Sequence, residues 1–594
     1  MPRLLVVLLL ACSSSPAPVA PAPSHERPAP PPPAIDAGVA IAPDAGPPPP
    51  PYRTDKSDFD VDPALAGKGK TFLVSSEDPL AAKVGRDVLA GGGNAVDAAV
   101  ATAFTLAVTR PTAGNLGGGG FAVVRTAKGK ASAIDFREVA PAAATSDMYD
   151  KAPPRASLVG ALAAGVPGSV AGLWELHKKF GKKKWKDLIA PAIAYANDGY
   201  PVTPYLHDAI ERRARNAPLT GAAGALFAPG GKPLAVGATV KNPELGKVLE
   251  RVAAKGPDGF YKGETAAAIV AVENQEGGLI TAKDLESYKP VWREPLRFEY
   301  RGKKFMTMPP PSSGGVVLAM TANMLRAIDV GKLGWHSTKH VHQVVEVWRR
   351  AYAARNEVLG DPKFLKDMPV KKLTSQAEAD RLAATITDRA TPSKDVPALL
   401  GGTHTTHFSI VDSKGMAVAL TTTLNTSFGS GVMVSGVLLN NEMDDFATKP
   451  GQPNVYGLVQ GAANKIEPGK RMLSSMTPTI VEDEKGDLFM VVGAEGGPRI
   501  ITAVWHAISN VIDFGMAPDA AVEAPRFHHQ HLPDEVAFED EAVTRETDDA
   551  LRALGYTTVW NREHVFASAN LLVHTKEGWS GAADYRGGGA TLGD

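Results

Sequence analysis

The run Thr403-His404-Thr405-Thr406-His407 sets hydroxyls and imidazoles side by side, deep within a 594-residue chain. A hydroxyl next to a base is what nucleophilic acyl transfer needs, and a threonine supplies both groups when it begins a polypeptide. If the bond between His404 and Thr405 were cut, the new α-amine of Thr405 would stand beside its own hydroxyl. The unperturbed pKa of such an amine, about 7.7 to 8.0, lets it accept a proton near neutrality. On these residues alone a buried structural threonine at the head of a strand is the simpler account.

Four further clusters carry groups that could serve such a nucleophile. Arg137, just past Ala133-Ile134-Asp135, is either a solvated loop charge or a fork that grips a carboxylate through two parallel hydrogen bonds. Asn440-Asn441-Glu442-Met443-Asp444-Asp445-Phe446 puts carboxylates among apolar residues, and Arg471-Met472-Leu473-Ser474-Ser475-Met476-Thr477-Pro478 sets two hydroxyls before a proline. Gly493-Ala494-Glu495-Gly496-Gly497-Pro498-Arg499 offers backbone N–H groups in a glycine turn ahead of a helical pattern at 500–512, the anatomy of an oxyanion hole at a helix N-terminus. Taken singly, each cluster reads equally well as a loop or a cap.

The elements that must position these groups follow from periodicity. Residues 405–412 alternate β-branched or aromatic with polar side chains, Asp412-Ser413-Lys414-Gly415 supplies a turn, and 416–425, ending in Thr423-Leu424-Asn425-Thr426, reads as the returning strand of a hairpin. The alanine-rich residues 79–108, broken by Gly91-Gly92-Gly93-Asn94, predict two helices joined by a glycine turn. Gly114-Asn115-Leu116-Gly117-Gly118-Gly119-Gly120-Phe121 precedes a strand and lacks a following Lys-Ser/Thr. A buried backbone crossing with no room for a Cβ therefore fits it better than a phosphate loop. Gly165-Val166-Pro167-Gly168 opens a long helical pattern, punctuated by rigid loops at 277–281 and 308–315.

Composition narrows the function classes. With 63 Lys+Arg against 64 Asp+Glu and no basic stripe interleaved with aromatics, nucleic acid is not an expected partner. Cys12 is the single cysteine, so neither an intrachain disulfide nor a multi-cysteine metal site is available. Arg3 precedes a short apolar run, and Leu9-Leu10-Ala11-Cys12 resembles a bacterial lipobox. We therefore expect residues 1–12 to be a lipoprotein-type signal peptide with Cys12 lipidated, in a protein exported to the periplasm or cell surface. An ordinary signal peptide that discards Cys12 is the alternative. Residues 13–65, rich in proline and alanine, are expected to be a disordered tether, leaving membrane contact only through the anchor.

Taken together the clusters carry a resemblance. Thr405-Thr406-His407, Thr423-Leu424-Asn425-Thr426, residues 440–446, residues 471–478 and Gly496-Gly497, with 115–121, Phe136-Arg137-Glu138, 309–315 and 525–530, resemble the γ-glutamyltranspeptidases, or glutathione hydrolases. The likeness runs from about residue 66 to 586. It implies an α/β fold of the N-terminal nucleophile hydrolase type, a four-layer αββα sandwich. It further implies autocatalytic cleavage between His404 and Thr405, giving a large subunit (66–404) and a small one (405–594) that stay together as a heterodimer. Thr405 is singled out from Thr403 and Thr406 because it lies two residues before a histidine, as the family's nucleophile does.

By the same resemblance Thr423 tunes Thr405, and Gly496 and Gly497 donate to the oxyanion. Arg137 pairs with the α-carboxylate of the substrate with help from Ser474 and Ser475, while Asp445, Glu442 and Asn425 take the ammonium. Residues 450–457 are similar to a lid loop found in some members, which makes Tyr456 the covering side chain. The expected substrates are γ-glutamyl donors such as glutathione, with water or amino-acid and peptide acceptors, and no cofactor. Glu495 and His404 are not residues the family leads one to expect at their positions. His528, His529 and His531 suit no standard zinc spacing, and no metal is expected. Two rivals stand beside this reading: a related acylase for glutaryl-type β-lactam side chains, and an uncleaved, inactive surface lipoprotein.

Overall fold

The hairpin forms with Thr405–Val411 paired antiparallel to Ala417–Thr423, Thr405 directly opposite Thr423 and His407 opposite Thr421. The period-2 pattern decides what each face does. Phe408, Ile410, Val418 and Leu420 join one hydrophobic cluster, built with helices. Val411, Ala417 and Ala419 join another, shared with a second sheet. Thr405 has the parity of His407 and Val411, so it belongs to the face between the sheets; Thr406 has the parity of Phe408.

This computed structural model describes residues 52–54, 61–395, 405–447, 461–560 and 566–594. Cys12, His404 and Tyr456 lie outside the described residues, as do all of the expected lid, 450–457, and nearly all of the proline-rich stretch.

The hairpin sits near the middle of a seven-stranded sheet ordered Ala590–Gly593, Leu73–Ser76, Thr405–Val411, Ala417–Thr423, Gly119–Arg125, Ala131–Asp135, Val291–Arg293. A second seven-stranded sheet runs Ala66–Gly69, Gly578–Ala583, Ser568–Thr575, Leu488–Glu495, Thr479–Glu482, Lys303–Thr307, Leu296–Tyr300. Neighbouring strands in both are antiparallel. The sheets stack, and polar contacts bridge them: Asn570 Nδ2 donates to the His407 carbonyl at 3.0 Å, and Ser75 Oγ donates to Asn570 Oδ1 at 2.8 Å.

Helices cover both outer faces, completing the αββα order expected from the sequence. On the hairpin sheet lie Pro79–Ala90 and Ala95–Thr109, the two helices predicted around the glycine turn. Asn94 caps the second, exchanging hydrogen bonds with Asp97 in a capping box. On the other sheet lie Gly314–Met324, Thr338–Val358 and Arg499–Ile512. The glycine run before Gly119–Arg125 is the expected backbone crossing, since a Cβ on Gly118 would lie 2.0 Å from the Thr423 carbonyl oxygen.

The stretch expected as tether is not contact-free at its end. Tyr52 donates to Asp548 Oδ2 at 2.7 Å and sets its ring edge-on to Trp560, while the Arg53 amide bonds the Val543 carbonyl at 3.1 Å. An aromatic and an arginine give this end of the stretch apolar and polar surface to bury, which prolines lack.

His528, His529 and His531 are buried, and each takes part in hydrogen bonds. His528 meets Thr502 Oγ and Gln530 Oε1, both at 2.8 Å, and His529 Nδ1 accepts from the His531 amide at 2.9 Å. With His336, His340, His407 and His506 they make up a set of buried imidazoles. Burial holds His340, His407 and His506 down to about 3 and His529 to about 4, and His336 and His528 also fall well below 6.5.

Their linkage to pH is fixed in sign. A depressed histidine gives stability that is full above about 6.5 and is lost as pH falls toward its folded value, by up to about 1.4 kcal/mol per pH unit for each. Buried carboxyls act oppositely. Glu138 and Glu273 are raised to about 7 and Glu77 and Glu442 well above 4.5, so the fold gains from them as pH falls to about 4.5. Between pH 6.5 and 4.5 the four carboxyls offset much of the loss from the six histidines, and below 4.5 the histidines act without that offset. Calorimetry across pH 7.5 to 3.5 should show a shallow decline in Tm to about pH 4.5 and a collapse below it; a Tm that holds to pH 3.5 would contradict this.

Candidate active site

At the open end of the hairpin, the strand parity that buries Val411 between the sheets puts Thr405 into a recess of about 210 Å³. The same recess is lined by Arg137, Thr423, Asn425, Glu442, Asp445, Ser474, Ser475, Met476, Gly497 and Ile500. A larger cavity of about 330 Å³, reaching from Ala107 to Leu438, offers no nucleophile or charge. Thr405 is 4% exposed, and its Oγ has no hydrogen-bond partner among the described residues. Thr423 Oγ accepts the Asn425 amide at 2.7 Å, which turns the chain at Asn425 with φ at 73°. His407, two residues on, is not a base for Thr405: its ring is buried neutral against Thr421 Oγ and Ser409 Oγ.

The glycine turn arrives from the second sheet. The strand Leu488–Glu495 ends at Gly496 and Gly497, with φ of 124° and 63°, and the helix Arg499–Ile512 starts just beyond. Only residues without a Cβ take such conformations readily. Gly497 lines the recess with Thr405; Gly496 packs behind it against Ala567. Glu495 points elsewhere. Its carboxylate meets Arg110 at 3.1 Å, and Glu77 meets the same guanidinium nitrogen at 3.1 Å, so Arg110 ties the end of this strand to the residue after Leu73–Ser76 in the hairpin sheet. Burial and the nearby Glu495 carboxylate both push Glu77 up, while Arg110 pulls it down.

The head of the recess is ionic. Arg137, 1% exposed, bonds Asp445 through Nη2 and pairs with Glu442 at 2.6 Å and Glu138 at 3.5 Å through Nη1. Burial raises Glu442 well above the usual carboxylate range, against the pull of Arg137, and raises Glu138 to about 7. Asp135, at the strand end before Arg137, accepts Arg293 at 2.7 Å and pairs with Arg471 at 3.2 Å, which anchors the loop that aims Arg137 inward. Asn440 Oδ1 accepts the amides of Gly165 and Glu442, fixing the short helix Glu442–Asp445. Asn425 Nδ2 donates to the Asn441 carbonyl at 3.0 Å.

The two serines rest on a scaffold the sequence did not disclose. The Ser474 amide donates to Pro311 and its carbonyl accepts both the amide and the hydroxyl of Ser313, at 2.8 and 2.7 Å. Arg355, on Thr338–Val358, donates to Ser475 Oγ at 3.0 Å and to Ser313 Oγ at 2.8 Å. Of the positions expected from the sequence, all that are described converge here, with Gly496 just behind the lining. Arg355 and Glu138 were not among them. Glu138 adjoined a chosen arginine and could have been suspected, whereas Arg355 reads as one more charge on a helix.

Two stacked antiparallel sheets between helical layers, with a threonine heading an inner strand and opening into a buried polar recess, define the N-terminal nucleophile hydrolase class. Solved structures agree: the chain superposes on a cephalosporin acylase from Bacillus halodurans with a TM-score of 0.78 at 27% identity, over 94% of this chain and 99% of that one. Residues 81–593 match the family model for gamma-glutamyltranspeptidase, and the chain belongs to that family. It is 46% identical to a glutathione hydrolase proenzyme of Pseudomonas aeruginosa, over 82% of this chain and 88% of that protein. With the Escherichia coli proenzyme the identity is 44%, over 87% and 91%. A gamma-glutamyltranspeptidase structure from Helicobacter pylori is 40% identical with a TM-score of 0.53, covering 57% of this chain and 96% of its own.

Proposed function

We propose that the protein is an autoprocessing γ-glutamyl transferase and hydrolase that acts on glutathione and related amides through a Thr405 acyl-enzyme. The observation that carries this is the single recess shared by Thr405, the Arg137–Asp445–Glu442 cluster, Ser474, Ser475 and Gly497. The proenzyme relatives support cleavage, as does the H. pylori chain, which is matched nearly whole yet spans little more than half of this one.

Maturation begins when Thr405 Oγ adds to the His404 carbonyl carbon and its proton passes to the Thr405 nitrogen. The C–N bond breaks, leaving an ester that water hydrolyses. The freed amine then takes the Oγ proton as the hydroxyl attacks the γ-carbonyl of the donor, and returns it to the leaving amine. The N–H groups of Gly496 and Gly497 stabilise the tetrahedral oxyanion, a contribution whose loss typically costs ~3 kcal/mol. Water or an acceptor amine releases the glutamyl group. Arg137 with Ser474 and Ser475 takes the α-carboxylate; Asp445, Glu442 and Asn425 take the ammonium.

An acylase relative, the Acylase ACY 1 proenzyme of Pseudomonas sp. (strain V22), is 35% identical over 89% of this chain, so the rival deserves a direct test. Glutaryl-p-nitroanilide carries the head carboxylate but no ammonium, and the carboxylates at the recess have no use for it. We expect γ-glutamyl-p-nitroanilide to be preferred by about 100-fold in kcat/KM, as a lost charge-assisted contact implies. Equal or better turnover of the glutaryl compound would overturn the γ-glutamyl assignment.

A further inference from the structure

The charges around the recess are unevenly matched. Arg137 meets carboxylates at Asp445, Glu442 and Glu138, and Arg349 and Arg350, earlier on the helix that carries Arg355, share Glu346 at 3.2 and 2.6 Å. Arg355 is 2% exposed and has no carboxylate within ion-pairing distance among the described residues; its three nitrogens go to Ser313, Ser475 and Asn356. Burial lowers its pKa to about 10, with Asp445 and Tyr352 opposing. A guanidinium buried without a counter-ion is costly, and the cost falls when a ligand supplies the missing negative charge.

The contacts of Arg355 also fix hydroxyl directions. A serine oxygen that accepts from a guanidinium has its own proton left to donate. Ser475 Oγ accepts from Arg355 and lines the recess, so its proton is available there. Ser313 Oγ accepts from Arg355 and donates to the Ser474 carbonyl, which holds the backbone of the second serine. One arginine thus organises both serines while touching neither the nucleophile nor the oxyanion turn.

We propose that Arg355 is the positioning residue of the substrate-carboxylate subsite. It makes Ser475 an obligate donor, holds Ser474 through Ser313, and lends from one hydroxyl away a positive charge that the α-carboxylate neutralises. Arg137 then serves two ends at once, binding the carboxylate and knitting together the groups that hold the ammonium. The inference rests on the γ-glutamyl reading and adds to it a residue outside the pocket lining.

The test compares two anilides on the cleaved enzyme. γ-Glutamyl-p-nitroanilide has both head groups, whereas 4-aminobutyryl-p-nitroanilide keeps the amine and lacks the carboxylate. Arg355→Gln should lower kcat/KM for the first about 30-fold, chiefly through KM, and for the second less than about 3-fold, so that discrimination collapses. Equal losses on both substrates would show a merely structural role and overturn the proposal, as would no loss on either. If Arg355→Gln stays uncleaved, Arg355→Lys carries the comparison. An ammonium on a different stem cannot reproduce the two-serine fork, so about a 10-fold selective loss is expected and an unchanged ratio overturns the proposal. Failure of the wild type to prefer the γ-glutamyl compound would sink the underlying functional reading instead.

Discussion

Thr405→Ala is expected to leave the protein as one uncleaved polypeptide with no measurable transfer or hydrolysis. The substitution removes the oxygen proposed to attack the His404 carbonyl, and with it the mature nucleophile. Both losses come from one atom, so activity should fall by at least about 10⁴-fold, the scale seen when the nucleophile of a catalytic unit is removed. The fold should survive. Thr405 lies at the end of a strand and loses a hydroxyl and a methyl, while the Thr405–Thr423 backbone pairing remains. Far-UV circular dichroism should match wild type, and an electrophoresis gel should show a single band where the wild type gives two. Thr405→Ser should still cleave and retain activity. A cleaved or active alanine variant would remove Thr405 from the mechanism.

Arg137→Met should be the most damaging change outside the nucleophile. Arg137 is buried and is the guanidinium that meets Glu138, Glu442 and Asp445. Deleting it leaves buried carboxylates facing one another, and truncating one partner of a buried charge pair costs about 3–5 kcal/mol. It also removes the donor fork for the α-carboxylate, so kcat/KM for γ-glutamyl-p-nitroanilide should drop about 10³-fold. The two effects separate in a double variant. Adding Glu442→Gln to Arg137→Met should recover part of the lost Tm, because one orphaned charge is gone, without restoring turnover. Activity within 10-fold of wild type in Arg137→Met would contradict the assigned head-group role.

These outcomes bear on how far the site could be read before the structure. The hairpin was legible because alternation at 405–423 has period 2 and Asp412-Ser413-Lys414-Gly415 marks its turn. Which of Thr405 and Thr406 faces the recess came from the family spacing to His407, and the structure gives the physical reason: the two threonines lie on opposite faces of the strand. The glycine crossing and the Gly496-Gly497 turn were legible because glycine runs report close approach or positive φ. The choice between a solvated and a gripping Arg137 was not, because it depends on Glu442 and Asp445, some 300 residues away in the chain.

Arg355 shows the limit most clearly. On Trp-Arg-Arg-Ala-Tyr-Ala-Ala-Arg-Asn the three arginines read as ordinary helix charges, yet Arg349, Arg350 and Arg355 are all buried. Besides Glu346 and Asn356 on the same helix, they are held by other elements: Ser393 and Asp534 for Arg349, Thr385 for Arg350, Ser313 and Ser475 for Arg355. Glu495 was conspicuous beside the glycine pair, but its purpose was hidden because Arg110 and Glu77 lie about 400 residues upstream. Local pattern predicts strands, turns and caps; charge pairing between elements is settled only by packing.

The central claim is that one chain becomes two at His404–Thr405 and that the new N-terminal threonine does the chemistry. Intact mass spectrometry with N-terminal sequencing of purified wild-type protein after prolonged incubation tests it most directly. The account predicts two polypeptides, one of which begins Thr-Thr-His-Phe-Ser and has the mass of residues 405–594. A single chain of full-length mass, or a small subunit starting at any residue other than Thr405, would contradict it.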